Sequence, residues 1–159
     1  MQPDQLIKAF SATLQASLHS LQTLEPILRA EQTALLSRDP ELLTGVVRDK
    51  VAALQQLEPS VQARDRLQGS AGIPAGIEGG ERLVEMLGQE ALARDWAQLT
   101  RLAKTIAELN ERNGRLAAQG QRTTREALGI LTGRPPNDDT YSGLRRKFGN
   151  TARCSFGRA

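Results

Sequence analysis

Apolar residues recur at seven-residue intervals through the first quarter of the chain. This spacing places a stripe along one face of an α-helix that runs from about Pro3 to Arg38. The series consists of Ile7, Leu14, Leu21, Leu28 and Leu35, with Phe10, Leu18 and Leu24 beside or between them. Ser17 and Glu31 interrupt the stripe, and Pro26 predicts a kink or a split. An unbroken helix of this length would span about 50 Å and needs a partner helix along it.

A second helix is predicted to begin at Asp39-Pro40-Glu41. Aspartate is a favoured N-cap, proline suits the first helical position, and glutamate favours the positive end of the helix dipole. Its apolar stripe comprises Leu43, Val47, Leu54, Leu57 and Val61, with Lys50 as a polar interruption. The helix is expected to run to about Leu67, with a second kink at Pro59. Because the connection between the two helices is short, they should run antiparallel.

Residues 69–80 contain five glycines and one proline, a composition that predicts a flexible crossover. A short third helix is expected from about Glu81 to Leu87, followed by a break near Gly88. The last long helix is predicted from about Asp95 to Leu131, where Gly133 and the following prolines end it.

The stripe of the last helix is rich in leucine in its first half and becomes small and polar in its second half. It reads Leu99, Leu102, Ile106, Leu109, Asn113, Leu116, Gly120, Thr123, Ala127 and Ile130. Each glycine inside a helix costs about 1 kcal/mol relative to alanine. Gly114 and Gly120 therefore predict the close approach of another helix.

These patterns predict an all-α protein, a coiled-coil-like antiparallel bundle of about three long helices and one short one. Only 39% of the residues are hydrophobic and 3% are aromatic, which favours narrow apolar stripes over a thick core. Residues 1–133 form the predicted helical domain, and their 15 Lys/Arg nearly balance 16 Asp/Glu. Residues 134–159 carry six Lys/Arg against two Asp/Glu and are predicted to be a disordered basic tail.

The chain contains few residues that could form a catalytic or metal-binding site. His19 stands alone on the outer face of the first helix, and Cys154, the one cysteine, lies in the predicted tail. The glycines of residues 69–80 lack the Gly-Lys-Ser/Thr ending of a phosphate-binding loop. We therefore expect a protein that is not an enzyme and that uses no metal or cofactor. The absence of a signal-peptide pattern, of an even cysteine set and of a long apolar run predicts a cytoplasmic protein without stable membrane insertion.

What remains is surface for binding another protein. A shallow apolar face built from small and aliphatic residues is typical of sites that receive a partner helix. Asn113 has two interpretations, a polar residue that fixes helix register or a contact to the partner. Nucleic-acid binding through the tail is not expected, because a net charge of +4 there is a weak footprint. A structural or adaptor coiled-coil protein without a client is the alternative.

Several stretches resemble the FlgN family of flagellar type III export chaperones. The most specific is Leu109-Asn110-Glu111-Arg112-Asn113-Gly114-Arg115-Leu116, which follows the spaced leucines from Trp96 onward. Upstream, Glu31, Asp39 with Leu42-Leu43, and Lys50 through Leu57 are similar to the helical hairpin of the family. Downstream, residues 127–133 lead to Tyr141. The resemblance extends over about residues 5–145.

The resemblance implies a chaperone that binds the C-terminal regions of hook–filament junction (hook-associated) proteins in the cytosol. It would prevent their premature assembly and present them to the export gate and ATPase components of the type III apparatus. The client-binding positions that it implies are Leu109, Asn113, Leu116, Gly120, Thr123, Ala127, Leu128, Leu131 and Tyr141. Apolar stripes on helices of this length are also compatible with a homodimer.

Overall fold

Four helices account for the regular structure of residues 2–132, the part of the chain that the computed structural model describes. They are α1 (Pro3–Ser37), α2 (Pro40–Ser70), α3 (Ile77–Leu87) and α4 (Glu90–Thr132). The prediction of an all-α fold with three long helices and one short helix is confirmed. The predicted tail at 134–159, the helix-ending residues from Gly133 and the candidate site residue Tyr141 lie outside the described residues.

Neither of the two internal prolines splits its helix. α1 continues through Pro26 and α2 continues through Pro59. Both prolines are exposed, and so are Gln22 and Gln55, whose carbonyls lose the hydrogen bond that each proline cannot donate. Those carbonyls can bond to water, so the helices remain continuous, and of the two outcomes that the sequence allowed at Pro26 the split does not occur.

The turn between α1 and α2 reverses the chain within two residues. Arg38 adopts a left-handed conformation with φ 56°, and the Asp39 carboxylate accepts hydrogen bonds from the amides of Glu41 and Leu42, both at 3.0 Å. The predicted N-cap is therefore confirmed. The two helices run antiparallel, because Ser17 on α1 hydrogen-bonds to Ser60 on α2 at 2.9 Å and Glu31 pairs with Lys50.

α1 is the central helix of the bundle. It packs along both α2 and α4, whereas α2 and α4 hardly contact each other. α4 runs parallel to α1, since Phe10 stacks on Trp96 with 6.3 Å between ring centroids, and Asn113 hydrogen-bonds to the carbonyl of Leu28. α1 supplies more of the core than any other helix, and Phe10, Leu14 and Leu28 of α1 are almost completely buried, as is Leu83 of α3.

The buried face of α2 differs from the predicted stripe. The residues that it buries are Val46, Ala53, Leu57, Ser60, Arg64 and Gln68. Val47 and Leu54, which were expected in the core, are each 41% exposed. Small residues such as Ala53 and Ser60 let α1 approach α2 closely. With this face of α2 against α1, the larger aliphatic side chains lie to one side of the contact. The predicted α2 stripe is therefore wrong at Val47 and Leu54, whereas Leu57 is buried and Val61 packs against the core as predicted.

The glycine-rich crossover is shorter than predicted. Only residues 71–76 lie outside helices, and α3 begins at Ile77 and includes Gly79 and Gly80. A side chain at Gly79 would overlap the carbonyl oxygen of Pro74, and one at Gly80 would overlap the Trp96 ring. Gly79 therefore lets the crossover fold back closely on α3, and Gly80 lets α3 lie directly on α4. α4 also begins at Glu90 instead of Asp95, which adds Leu92 to the core.

The contact of Gly80 with Trp96 predicts a large effect of a small substitution. Gly80→Ala should destabilise the protein by about 1–3 kcal/mol, because its methyl group has no room beside the indole. Gly45→Ala is the matched control, since a Cβ at Gly45 meets nothing within 4 Å and the substitution should stabilise α2 by up to about 1 kcal/mol. Urea denaturation measures both, and equal effects of the two substitutions would contradict the packing of α3.

Candidate functional site

Four polar side chains meet at one level where α1, α2 and α4 come together. The Lys50 ammonium on α2 donates to both oxygens of Glu31 on α1, at 3.1 and 3.0 Å, and to the side-chain oxygen of Asn110 on α4, at 2.8 Å. The Asn113 amide donates to Glu31 and to the Leu28 carbonyl, both at 2.8 Å. We call Glu31, Lys50, Asn110 and Asn113 the polar junction.

Three members of the polar junction are largely removed from water, whereas Asn110 is exposed. The Glu31 side chain is 9% exposed and that of Lys50 is 20% exposed, while Asn113 is 2% exposed. A carboxylate at such a position is tolerated because three donated hydrogen bonds replace its water. The side-chain oxygen of Asn113 has no hydrogen-bond partner within the described part of the chain. These residues therefore hold the three helices at one relative height.

The junction explains why polar residues interrupt the apolar stripes. Glu31 interrupts the stripe of α1, Lys50 that of α2 and Asn113 that of α4, and the structure brings all three into contact. Of the two interpretations of Asn113, its position supports the one in which it fixes helix register. Its predicted contact with a client stays a prediction, and in this structure the side chain lies inside the bundle.

Beyond the junction, α4 gradually loses its neighbours. If the pairing of Glu31 with Asn113 is continued along the helices, the end of α1 at Ser37 falls near residue 119 of α4. The last 13 residues of α4, about 20 Å, therefore project past the α1–α2 turn. Leu128 is 53% exposed there and Leu131 is 81% exposed.

The structure divides the predicted client-binding residues into two groups. Leu109 and Asn113 are buried in the bundle, and Leu116 is half-buried at its edge. The exposed members, all on the end of α4, are Gly120, Thr123, Ala127, Leu128 and Leu131. Leu116, Gly120, Thr123, Ala127 and Leu131 follow one another at intervals of three or four residues, so they share one helix face. This face continues the stripe with which Leu109 and Asn113 pack on α1.

The close helix contact predicted at Gly114 and Gly120 is absent from residues 2–132. A Cβ built at either position meets nothing within 4 Å. That expectation is wrong for the isolated chain, since α1 and α2 lie on other faces of α4 or end before Gly120. The two glycines thus leave shallow, open surface on the second half of α4.

None of the four helices within residues 2–132 combines the length and the apolar composition needed to span a bilayer.

The comparisons with known proteins address the resemblance noted in the sequence. The model of the family described as FlgN protein matches residues 1–144, which include all four residues of the polar junction. The chain belongs to the FlgN family. No curated protein and no solved structure matches it significantly.

Membership of the FlgN family makes this protein a flagellar export chaperone. The residues that carried the resemblance can be located in the folded bundle. Glu31, Lys50, Asn110 and Asn113 belong to three separate sequence stretches and form one polar junction in the folded bundle. The family pattern therefore coincides, at these positions, with the contacts that align the three long helices.

The buried pair at the junction predicts coupled effects on stability. Lys50→Met should cost about 1–3 kcal/mol, because it leaves the Glu31 carboxylate, which is 9% exposed, with Asn113 as its remaining side-chain donor. Adding Glu31→Gln should cost less than the sum of the single substitutions, since no uncompensated charge remains. Urea denaturation of the two single variants and the double variant gives the coupling energy.

Arg29→Met provides the matched control for this experiment. The Arg29–Glu25 pair has a shorter distance of 2.7 Å, but its arginine is 59% exposed. Exposed pairs contribute about 0.2–1 kcal/mol, so this variant should stay close to the wild type. Additive effects at Glu31 and Lys50, no larger than the effect at Arg29, would contradict a structural role of the junction.

Proposed function

We propose that this chaperone binds the C-terminal regions of hook-associated proteins of the hook–filament junction in the cytosol. It covers their association surface until they are presented to the type III export apparatus. The observation that supports this proposal is the projecting end of α4, an exposed apolar and small-residue face with no neighbour from residues 2–132. Such a face fits an apolar helix from another protein.

The face is suited to reversible binding. Its anchors are Leu128 and Leu131, with Gly120, Thr123 and Ala127 as small residues between them and the bundle. When a client helix becomes ordered on this surface, its loss of conformational entropy offsets part of the interaction energy, which keeps the affinity moderate. A chaperone that must release its client at the export gate requires that property. We therefore assign this contact to those predicted client-binding residues that are exposed at the end of α4.

Charged substitutions at the end of α4 should abolish the client complex without unfolding the chaperone. Leu128→Lys combined with Leu131→Lys should weaken binding of a hook-associated C-terminal fragment at least tenfold, because truncating an interface anchor costs about 2 kcal/mol or more. Size exclusion with light scattering detects the complex, and hydrogen exchange should show new protection within residues 113–132 of the wild type. Stability should change by less than about 0.5 kcal/mol, since both leucines are exposed.

Met86→Lys is the control for this prediction. Met86 is 58% exposed on α3, remote from the end of α4, and its substitution should leave the complex intact. A wild-type protein that forms only a stable homo-oligomer and no complex would favour the structural coiled-coil alternative.

A further inference from the structure

A groove runs between α2 and α4. Both helices pack on α1, yet they hardly contact each other and are bridged by long side chains. One bridge is the hydrogen bond from Lys50 to Asn110, and the other is Arg64, whose guanidinium carbon lies 5.8 Å from the centre of the Trp96 ring. Helices held apart by such bridges leave a channel, with α1 beneath it.

α3 fills one half of this groove. It packs on both α2 and α4, and Gly80 rests on the indole of Trp96. α3 ends at Leu87, where Gly88 takes a left-handed conformation with φ 60° and turns the chain into α4. No other segment of residues 2–132 can continue along the channel. The half around Lys50 and Asn110, which we call the open groove, is therefore left uncovered.

The walls of the open groove are apolar and differ in size. Val47 and Leu54 lie three and four residues from Lys50, so they flank it on the α2 face that looks toward α4. Ala107 and Gly114 flank Asn110 in the same way on α4. All four are exposed, and a Cβ at Gly114 would meet nothing within 4 Å. Large side chains on one wall and small ones on the other leave room for the ridge of an added helix.

The dimensions fit one short helix. From Ala107 to Ala117 the α4 wall measures about 15 Å, or three turns. α3, which occupies the other half, has 11 residues and is equally long. The open groove also leads directly to the projecting end of α4.

We propose that the open groove is a second docking surface for the client, one that receives a three-turn amphipathic helix beside the one bound on the end of α4. This inference rests on the proposed function. The client helix carries aliphatic residues at i, i+3 or i+4, and i+7 that insert between Val47, Leu54 and Gly114. A polar side chain at its centre faces Lys50 and Asn110, which form the floor of the groove.

Two features of the groove argue for the client as its occupant. The groove is continuous with the interface already formed by α3, which is itself a short amphipathic helix. It is also continuous with the α4 face assigned to the client. A stable complex buries roughly 800 Å² on each partner. Three exposed turns of a single helix offer only a narrow strip of surface toward that area. Client binding that also enters the groove extends the contact over two walls.

The test fills or charges the groove in the full-length chain. Gly114→Leu places a side chain where the client helix would lie, and Val47→Lys with Leu54→Lys charges the opposite wall. Each is expected to weaken binding of the hook-associated C-terminal fragment at least tenfold by isothermal titration calorimetry. Gly45→Leu is the matched control, since Gly45 has equally open surroundings on a side of α2 turned away from α4. It should leave the affinity within twofold.

The outcomes separate this inference from the proposed function. If Leu128→Lys with Leu131→Lys abolishes binding while the groove variants bind like the wild type, the inference is wrong and the proposed function stands. If the wild type binds no client fragment, both fail. If the groove variants instead change the mass of the chaperone alone, or if shortening the chain after Thr132 exposes α2 to hydrogen exchange, the occupant is a second copy or residues 133–159, which overturns the proposal.

Discussion

The contact among Glu31, Lys50 and the two asparagines of α4 sets the height at which three long helices meet. Leucine faces tolerate sliding, because one apolar contact can replace another at similar energy. A slide of α4 by one turn, about 5.4 Å, would remove Asn110 from Lys50 and would leave the Asn113 amide, which is 2% exposed, without its acceptors on α1. The polar junction thus opposes misalignment that the apolar stripes would permit.

That fixed register decides where surface is left open. On one side of the junction, Phe10, Trp96 and α3 close the bundle around buried aromatic rings. On the other side, α4 continues past the α1–α2 turn, and no helix within residues 2–132 fills the groove between α2 and α4. The buried aromatic rings therefore lie at one end of the molecule, whereas the exposed aliphatic side chains of Val47, Leu54, Leu128 and Leu131 lie toward the other. A shift of register would change both the length of the projection and the width of the groove.

The glycines inside α3 and those inside the second half of α4 have opposite roles, because they differ in the space beside them. Gly79 and Gly80 lie where neighbouring atoms leave no space for a side chain, so the crossover can touch α3 at Gly79 and α3 can touch α4 at Gly80. Gly114 and Gly120 lie in the same helical conformation but with open space around them. The sequence pattern treats both pairs as helix-weakening residues, and only the positions of the surrounding atoms tell a packing glycine from one that leaves room for a partner.

The sequence by itself determined the helices, the Asp39 cap, the antiparallel hairpin and the family, because periodicity, turn residues and spaced motifs are local properties. It also marked Glu31, Lys50 and Asn113 as polar interruptions, without revealing that they touch. The tertiary structure alone decided which face of α2 is buried, why α3 can begin within a glycine-rich stretch, and how far α4 projects. Val47 and Leu54 fit a core stripe by spacing, yet the approach of α1 to Ala53 and Ser60 turned them outward, since packing against a partner selects among faces that a repeat cannot distinguish.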